Sequence, residues 1–197
     1  WGDPVFMEKL ENFHRAFAAR YDGKPYMVDI DMGSVGDWGE GHTAVSSGKV
    51  TPVSVLKAHI DLFTRVYTKT QVVITDDYFY WGRSDGSAEV KELISYATEK
   101  GIAFRDDSPF FQSTNIRHPE FFRDIWKLRP VTIELDHYKD VRSRGHWSVP
   151  DGNSTGADRL RGIVRDAHVT YLGFHGYADT YRADNPSIVK EMANRVG

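Results

Sequence analysis

The sequence predicts an α/β fold, a partial (β/α)8 barrel of about five parallel strands with crossover helices, and three observations point there. First, strand-like runs start near positions 26, 71, 102, 131 and 169 and alternate with helical runs. Such alternation favours a parallel sheet with right-handed crossovers. Second, these runs lead into segments rich in acids, histidines and aromatics: MVDIDMGSVGDWGEGH, VVITDDYFYW, IAFRDDS, VTIELDHY and VTYLGFHGYAD. A parallel sheet places all such ends on one side, where the groups converge on a common mouth. Third, the loop after the first strand, GSVGDWGEG, carries Asp37 and Glu40 among its glycines, and these would repel a phosphate. An open nucleotide-binding sheet is therefore disfavoured. A complete barrel takes about 250 residues. Residues 1–197 thus read as a single catalytic-type domain and a fragment of a longer barrel, five units whose first three lie upstream. The start at Trp1 and the stop at Gly197 straight after a helical run carry the same expectation.

Each element has a local reason. Asp3-Pro4 is an N-cap and first-turn pair, and Phe6, Leu10, Phe13, Phe17 and Tyr21 follow at helical spacing until Asp22-Gly23. This predicts an amphipathic helix. Tyr26 to Met32 reads as the first strand, and Gly33 to Val50 as a long polar, Gly-rich loop. Thr51-Pro52 opens a second helix with Val53, Leu56, Ile60, Phe63 and Tyr67 inward, and Gln71 to Thr75 is the second strand. After a loop from Asp76 to Gly86, Ser87 caps a helix with Val90, Leu93, Ile94 and Ala97 inward, ended by Gly101. Ile102 to Arg105 is the third strand, and Pro119 to Lys127 a short helix. Val131, Thr132, Ile133 and Leu135 are β-formers in a run too short for a helix, entered by Pro130, and they make the fourth strand. A loop from Asp136 to Asn153, a helix from Ala157 to Ala167, a strand from Val169 to Phe174 and a helix from Asn185-Pro186 to Val196 complete the chain.

Composition narrows the function classes. An apolar fraction of 40% with 27% charged residues is that of an ordinary folded domain, not a disordered chain. A net charge of -3 lacks the basic excess of a nucleic-acid-binding surface, and no apolar run approaches the roughly 20 residues of a membrane helix. With no cysteine, thiolate metal sites and disulfides are excluded. Neither a nucleic acid nor a membrane is expected as partner.

The sharpest chemical signal is a pair of carboxylates, Glu40 and Glu134. Each lies at or just beyond a strand terminus, and the segment between them spans three βα units, enough to set them across a barrel mouth. Glycosidic bonds are cleaved by two carboxyl groups, one protonating the leaving oxygen while the other attacks the anomeric carbon or activates water. In this layout the chain resembles the clan A glycoside hydrolases, whose barrels carry an acid/base Glu after the fourth strand and a nucleophilic Glu at the end of the seventh. The resemblance covers nearly the whole chain and rests on VDIDMGSVGDWGEGH and VTIELDHY. It implies Glu40 as acid/base, Glu134 as nucleophile, a retaining mechanism, and YLGFHGYAD as the eighth barrel strand. Gly39 precedes Glu40 where most of that clan carry Asn.

Aromatic residues fit a saccharide, because sugar rings present apolar C–H faces for stacking and polar rims for hydrogen bonds. Trp38, Tyr78, Tyr80, Trp81, Tyr138, Trp147, Tyr177 and Tyr181 all fall after strands, with Trp38, Trp81 and Tyr138 the expected platforms and about half of the set covering the rim. Asp76, Asp107, Asp136, His42, His137 and His175 complete the expected substrate contacts. The acids near strand ends have a second reading, as loop caps or partners of Arg83, Arg105 or Arg117. No metal or cofactor is expected, although His42, His137 and His175 with Glu40, Glu134, Asp76 and Asp107 leave a divalent-metal barrel enzyme open. No GxSxG elbow supports a serine hydrolase. An inactive carbohydrate-binding remnant also stays open, and exposed strand edges would call for self-association that covers them.

Overall fold

Five strands join one sheet in the order in which they occur along the chain, in a computed structural model describing residues 1–111, 115–148, 155–174 and 184–196. They are β1 (Asp29–Asp31), β2 (Gln71–Thr75), β3 (Ala103–Asp106), β4 (Val131–Leu135) and β5 (Tyr171–Phe174). The strands are parallel with helices between them, and their order never reverses. A doubly wound sheet would reverse it at a switch point. The fold is therefore α/β of the partial-barrel type, as the alternation of elements predicts. The chain divides into two units, Trp1–Phe104 and Arg105–Gly197.

In the first unit, α1 (Pro4–Tyr21) is capped as expected, with the Asp3 carboxylate accepting the Phe6 amide at 2.9 Å. Its far end is tied down by Asp22, whose carboxylate accepts the amides of Thr68, Lys69 and Thr70. The predicted inner face needs correction. No residue of α1 is buried, and Phe13 is 61% exposed. His14 takes its place, its ring 4.3 Å from that of Phe63 and its Nδ1 2.8 Å from the Tyr67 hydroxyl. Burial pushes the His14 imidazole pKa down.

The first strand is shorter than predicted: a turn donates the Met27 amide to Lys24, Tyr26 and Val28 are exposed, and only Asp29–Asp31 pair with Gln71–Val73 of β2. Helix α2 (Val53–Val66) buries Leu56, His59, Ile60, Leu62 and Phe63. The predicted loop after β2 contains one helical turn, α3 (Asp77–Tyr80), whose Tyr78 and Phe79 enter the core. Helix α4 (Ala88–Glu99) starts at its Ser87 cap and ends before Gly101, whose φ of 82° only glycine adopts without strain.

In the second unit, β4 has the alternation its sequence shows, with Val131, Ile133 and Leu135 buried and Thr132 and Glu134 half-buried. It pairs with β5 in the register Glu134 to Gly173. Short helices α5 (Pro119–Ile125) and α6 (Tyr138–Ser143) flank β4, and α7 (Thr155–Asp166) and α8 (Pro186–Ala193) follow. Helix α6 lies inside a segment whose sequence reads as loop. His137 at its N-cap presents its carbonyl to the amides of Asp140 and Val141, and Tyr138 and Val141 anchor it in the core. Trp147 is 1% exposed, donates its indole N–H to Asn185 at 3.1 Å, and packs against Phe110 and Tyr138. Any side chain at Gly156 would collide with that indole.

Candidate functional site

The loop from Gly33 to Val50 is organised around a buried phenol. Tyr78 is 1% exposed, and its hydroxyl accepts the amides of Ser34 at 3.2 Å and Val35 at 3.0 Å. It donates to the Met32 carbonyl and lies 3.1 Å from the Gly39 carbonyl. Burial pushes this phenol well above its ordinary pKa, so it stays a neutral hydroxyl that can both donate and accept. Gly41 runs so close that an added Cβ would meet the Tyr78 backbone nitrogen at 2.6 Å.

Around this pillar the chain turns tightly through a short 3-10 segment, Asp37–Gly39. Gly36, Trp38, Gly39 and Gly41 all have positive φ, at 87°, 53°, 82° and 86°. For the three glycines this conformation is cheap, whereas for Trp38 it is strained. The strain accompanies an indole that is 75% exposed. A large aromatic held out in water in a strained conformation suits a surface for stacking a ligand.

Glu40 and His42 lie beside it. His42 Nε2 is 3.1 Å from Glu40 Oε2, and the imidazole sits 5.6 Å, centroid to centroid, from both Trp38 and Trp81. Trp81 in turn donates its indole N–H to the Thr43 hydroxyl at 3.3 Å. Asp37 closes the loop by accepting the amides of Val45 at 2.7 Å and Ser46 at 3.1 Å. The Ser46 hydroxyl and these amides hold its carboxyl below the usual carboxylate range. Four expected site residues, Trp38, Glu40, His42 and Trp81, are thus brought together in the first unit. Asp76, also there, is buried; its carbonyl accepts the amides of Phe79 and Tyr80, and its Oδ1 lies 3.4 Å from the Thr75 hydroxyl. That placement starts α3 and so positions Tyr78.

In the second unit, Glu134 stands on β4 and pairs with Arg105 at 2.7 Å, and the same guanidinium reaches Asp107 at 3.3 Å. Arg105 therefore ties the carboxylates of two strand ends to one cation. Asp106 is fully buried and accepts the amides of Ser108 at 2.7 Å and Arg117 at 3.0 Å, shaping the loop after β3. Asp136 accepts the His137 amide at 2.7 Å and pairs with Arg144. His137 serves α6 through its backbone. Tyr138, an expected stacking platform, is 2% exposed, its ring edge-on to Trp147, and burial raises its phenol pKa. Its place in the core anchors α6 and takes it out of the set of exposed stacking surfaces. His175, Tyr177 and Tyr181 lie outside the described residues.

Sequence reading missed two residues that shape the first-unit site. In the sequence Asp37 stands out only for its charge, and Tyr78 only as one aromatic of several. A signal for the loop was present in the glycines at 36, 39 and 41, which mark a chain that must turn through positive φ. His42 has both ring nitrogens in hydrogen-bond contact, Nδ1 with the Ala44 amide at 3.3 Å and Nε2 with Glu40. Among the described residues no helix is long and apolar enough to cross a membrane. Comparison with protein-family models, with curated proteins and with solved structures found no match.

Proposed function

We propose that this chain carries the catalytic carboxylates of a glycoside hydrolase acting on an oligo- or polysaccharide, with Glu40 as acid/base and Glu134 as nucleophile. The observation that carries the reading is the setting of Glu40: a carboxyl that meets the imidazole of His42, itself in contact with the indoles of Trp38 and Trp81, with Trp38 held out into solvent. An indole gives the apolar face of a sugar somewhere to stack, and a positioned carboxyl gives its glycosidic oxygen a proton. The setting of Glu134 fits the second role. A side chain on a short buried strand, gripped by Arg105, has little freedom to wander, as a nucleophile at an anomeric carbon requires.

In the proposed sequence Glu40 protonates the leaving oxygen as Glu134 attacks the anomeric carbon, giving a glycosyl ester. Glu40, now a carboxylate, then takes a proton from the water that displaces Glu134. The test is hydrolysis of a panel of polysaccharides and aryl glycosides by the wild-type chain, Glu134→Gln and Glu40→Gln. Each substitution is expected to lower turnover by about 10²- to 10⁴-fold while near-UV circular dichroism stays unchanged. Product anomers read by NMR should retain configuration. Sugar binding without cleavage by the wild type would replace this reading with a carbohydrate-binding one.

A further inference from the structure

We propose that the seam between α1 and α2 is an acid-released clasp, in which charging of His14 and His59 undocks α1 and loosens Ser34 at the root of the Glu40 loop. The clasp stands whether or not Glu40 is an acid/base.

The seam is thin and built on imidazoles. Helix α1 buries none of its residues, so little apolar contact holds it in place. It meets α2 through two side chains: the Phe6 ring lies 6.2 Å from that of His59, and the His14 ring lies 4.3 Å from Phe63 and 5.8 Å from Tyr67. His59 is fully buried. The Trp1 carbonyl can only accept, and it lies 3.2 Å from His59 Nε2, so the neutral ring carries its proton there. Nδ1 is left with a lone pair, which accepts the Ser34 hydroxyl at 2.8 Å. Ser34 also donates its amide to the Tyr78 hydroxyl, and so joins His59 to the pillar of the Glu40 loop. On the other side of the seam His14 Nδ1 is 2.8 Å from the Tyr67 hydroxyl.

A charged imidazole fits this seam badly. Protonation of His59 puts a second N–H on Nδ1, so the Ser34 hydroxyl must turn from donor to acceptor. Among the described residues neither ring touches a carboxylate that could balance the charge. The two imidazoles act on each other, the Trp1 ammonium faces His59, and Tyr67 faces His14 with Asp22 acting on its phenol. Glu11, which precedes His14 on α1, is taken up by Arg15 and Arg65. Burial pushes both imidazole pKa values down, and at His59 the Trp1 carbonyl opposes the shift without cancelling it. A base whose folded pKa lies below its unfolded value of about 6.5 contributes its full share to docking above that pH. The share is lost as the pH falls below about 6.5, by up to about ten-fold in the docking equilibrium per histidine and pH unit. Glu11 and Asp22, whose carboxyl pKa values are lowered, keep their charge through the start of that window.

Hydrogen exchange of the wild-type chain from about pH 7.5 to about pH 5 tests the clasp without any substrate. Amide protection factors along α1 should fall by ten-fold or more across that range, while those of β2 and α4 hold. Unchanged protection of α1 would overturn the proposal. The imidazole ¹³C resonances of His14 and His59 should titrate below the ordinary value of about 6.5, and either one titrating at or above it would overturn the proposal whatever the variants do. His14→Gln combined with His59→Gln leaves amides that can bond Tyr67 and Ser34 but take no charge. This double variant should keep α1 protected at about pH 5. Acid undocking that persists in the folded double variant would assign the release to other groups and defeat the clasp. The Ser34 amide resonance should move with the midpoint of His59, and a Ser34 amide that ignores that titration would defeat the link to the loop.

Discussion

The two units hold their candidate carboxylates by opposite means. Glu134 stands on a five-residue strand in register with its neighbour, and what steadies its side chain is a cation, Arg105. Glu40 stands on a loop with four positive-φ residues in six, and what steadies that loop is a neutral hydroxyl, Tyr78, serving backbone groups from 32 to 39. A strand fixes the direction of its side chains by alternation and ladder bonds. A loop of this kind has no ladder, so its shape depends on side chains that meet its backbone groups, Tyr78 from elsewhere in the sequence and Asp37 from within the loop.

The comparison can be broken one side at a time. Arg105→Met should have the largest effect, about 3 kcal/mol of lost stability in urea unfolding, because Glu134 and Asp107 would keep their charge with the shared cation gone. A change below about 0.5 kcal/mol would show that water screens these groups as it screens surface pairs. Tyr78→Phe should cost about 2 kcal/mol, since the buried Val35 amide loses its acceptor and the Ser34 amide one of two. Its distinctive mark should be faster hydrogen exchange at 33–42, with the β4 amides as protected as before.

Asp22 offers a smaller and pH-dependent effect on the helix that precedes the loop. Its pKa is lowered in the folded chain: burial opposes the shift, but hydrogen bonds from Thr70, Thr68 and Lys69 outweigh it. A carboxyl with a depressed folded pKa contributes stability above its unfolded pKa, near 4, and that contribution fades as the pH falls through the folded value. Asp22→Asn should therefore be less stable at neutral pH by about 1 kcal/mol and converge on wild type in acid. A constant gap across the acid range would assign the loss to packing instead. Trp38→Gly should have the smallest effect on folding and an opposite sign. Relief of the positive φ should stabilise the chain by up to about 1 kcal/mol, while saccharide binding weakens. Isothermal titration beside urea unfolding separates the two, and a destabilised Trp38→Gly would mean that the indole packs more than it presents.

Much of the fold was legible because its causes are local. Asp3-Pro4 and Ser87 start helices where capping chemistry says they should, Gly101 stops one, and Val131 to Leu135 is a strand to the residue. Where reading failed, a distant partner had intervened. Phe13 fits a helical stripe as well as His14 does, but His14 has the Tyr67 hydroxyl and the Phe63 ring to meet. The segment after Asp136 looks like loop until Trp147 and Asn185 give Tyr138 a core to enter. Likewise Tyr138 reads as a stacking platform and Trp147 as one post-strand aromatic of several, and burial turns both into core.

The sequence by itself determined the alternation of strands and helices, the caps that bound them, the position of Glu134 near the end of a strand and that of Glu40 in the loop after the first. Spacing, propensity and turn chemistry act over a few residues, and these features need no more. Tertiary structure alone decided that Tyr78 would hold up the Glu40 loop, that His42 would meet both Trp38 and Trp81, and that one guanidinium would serve Glu134 and Asp107. Those arrangements join residues 29 to 46 positions apart in the chain, or depend on φ values that several strained turns must satisfy together, so only the folded chain can select them.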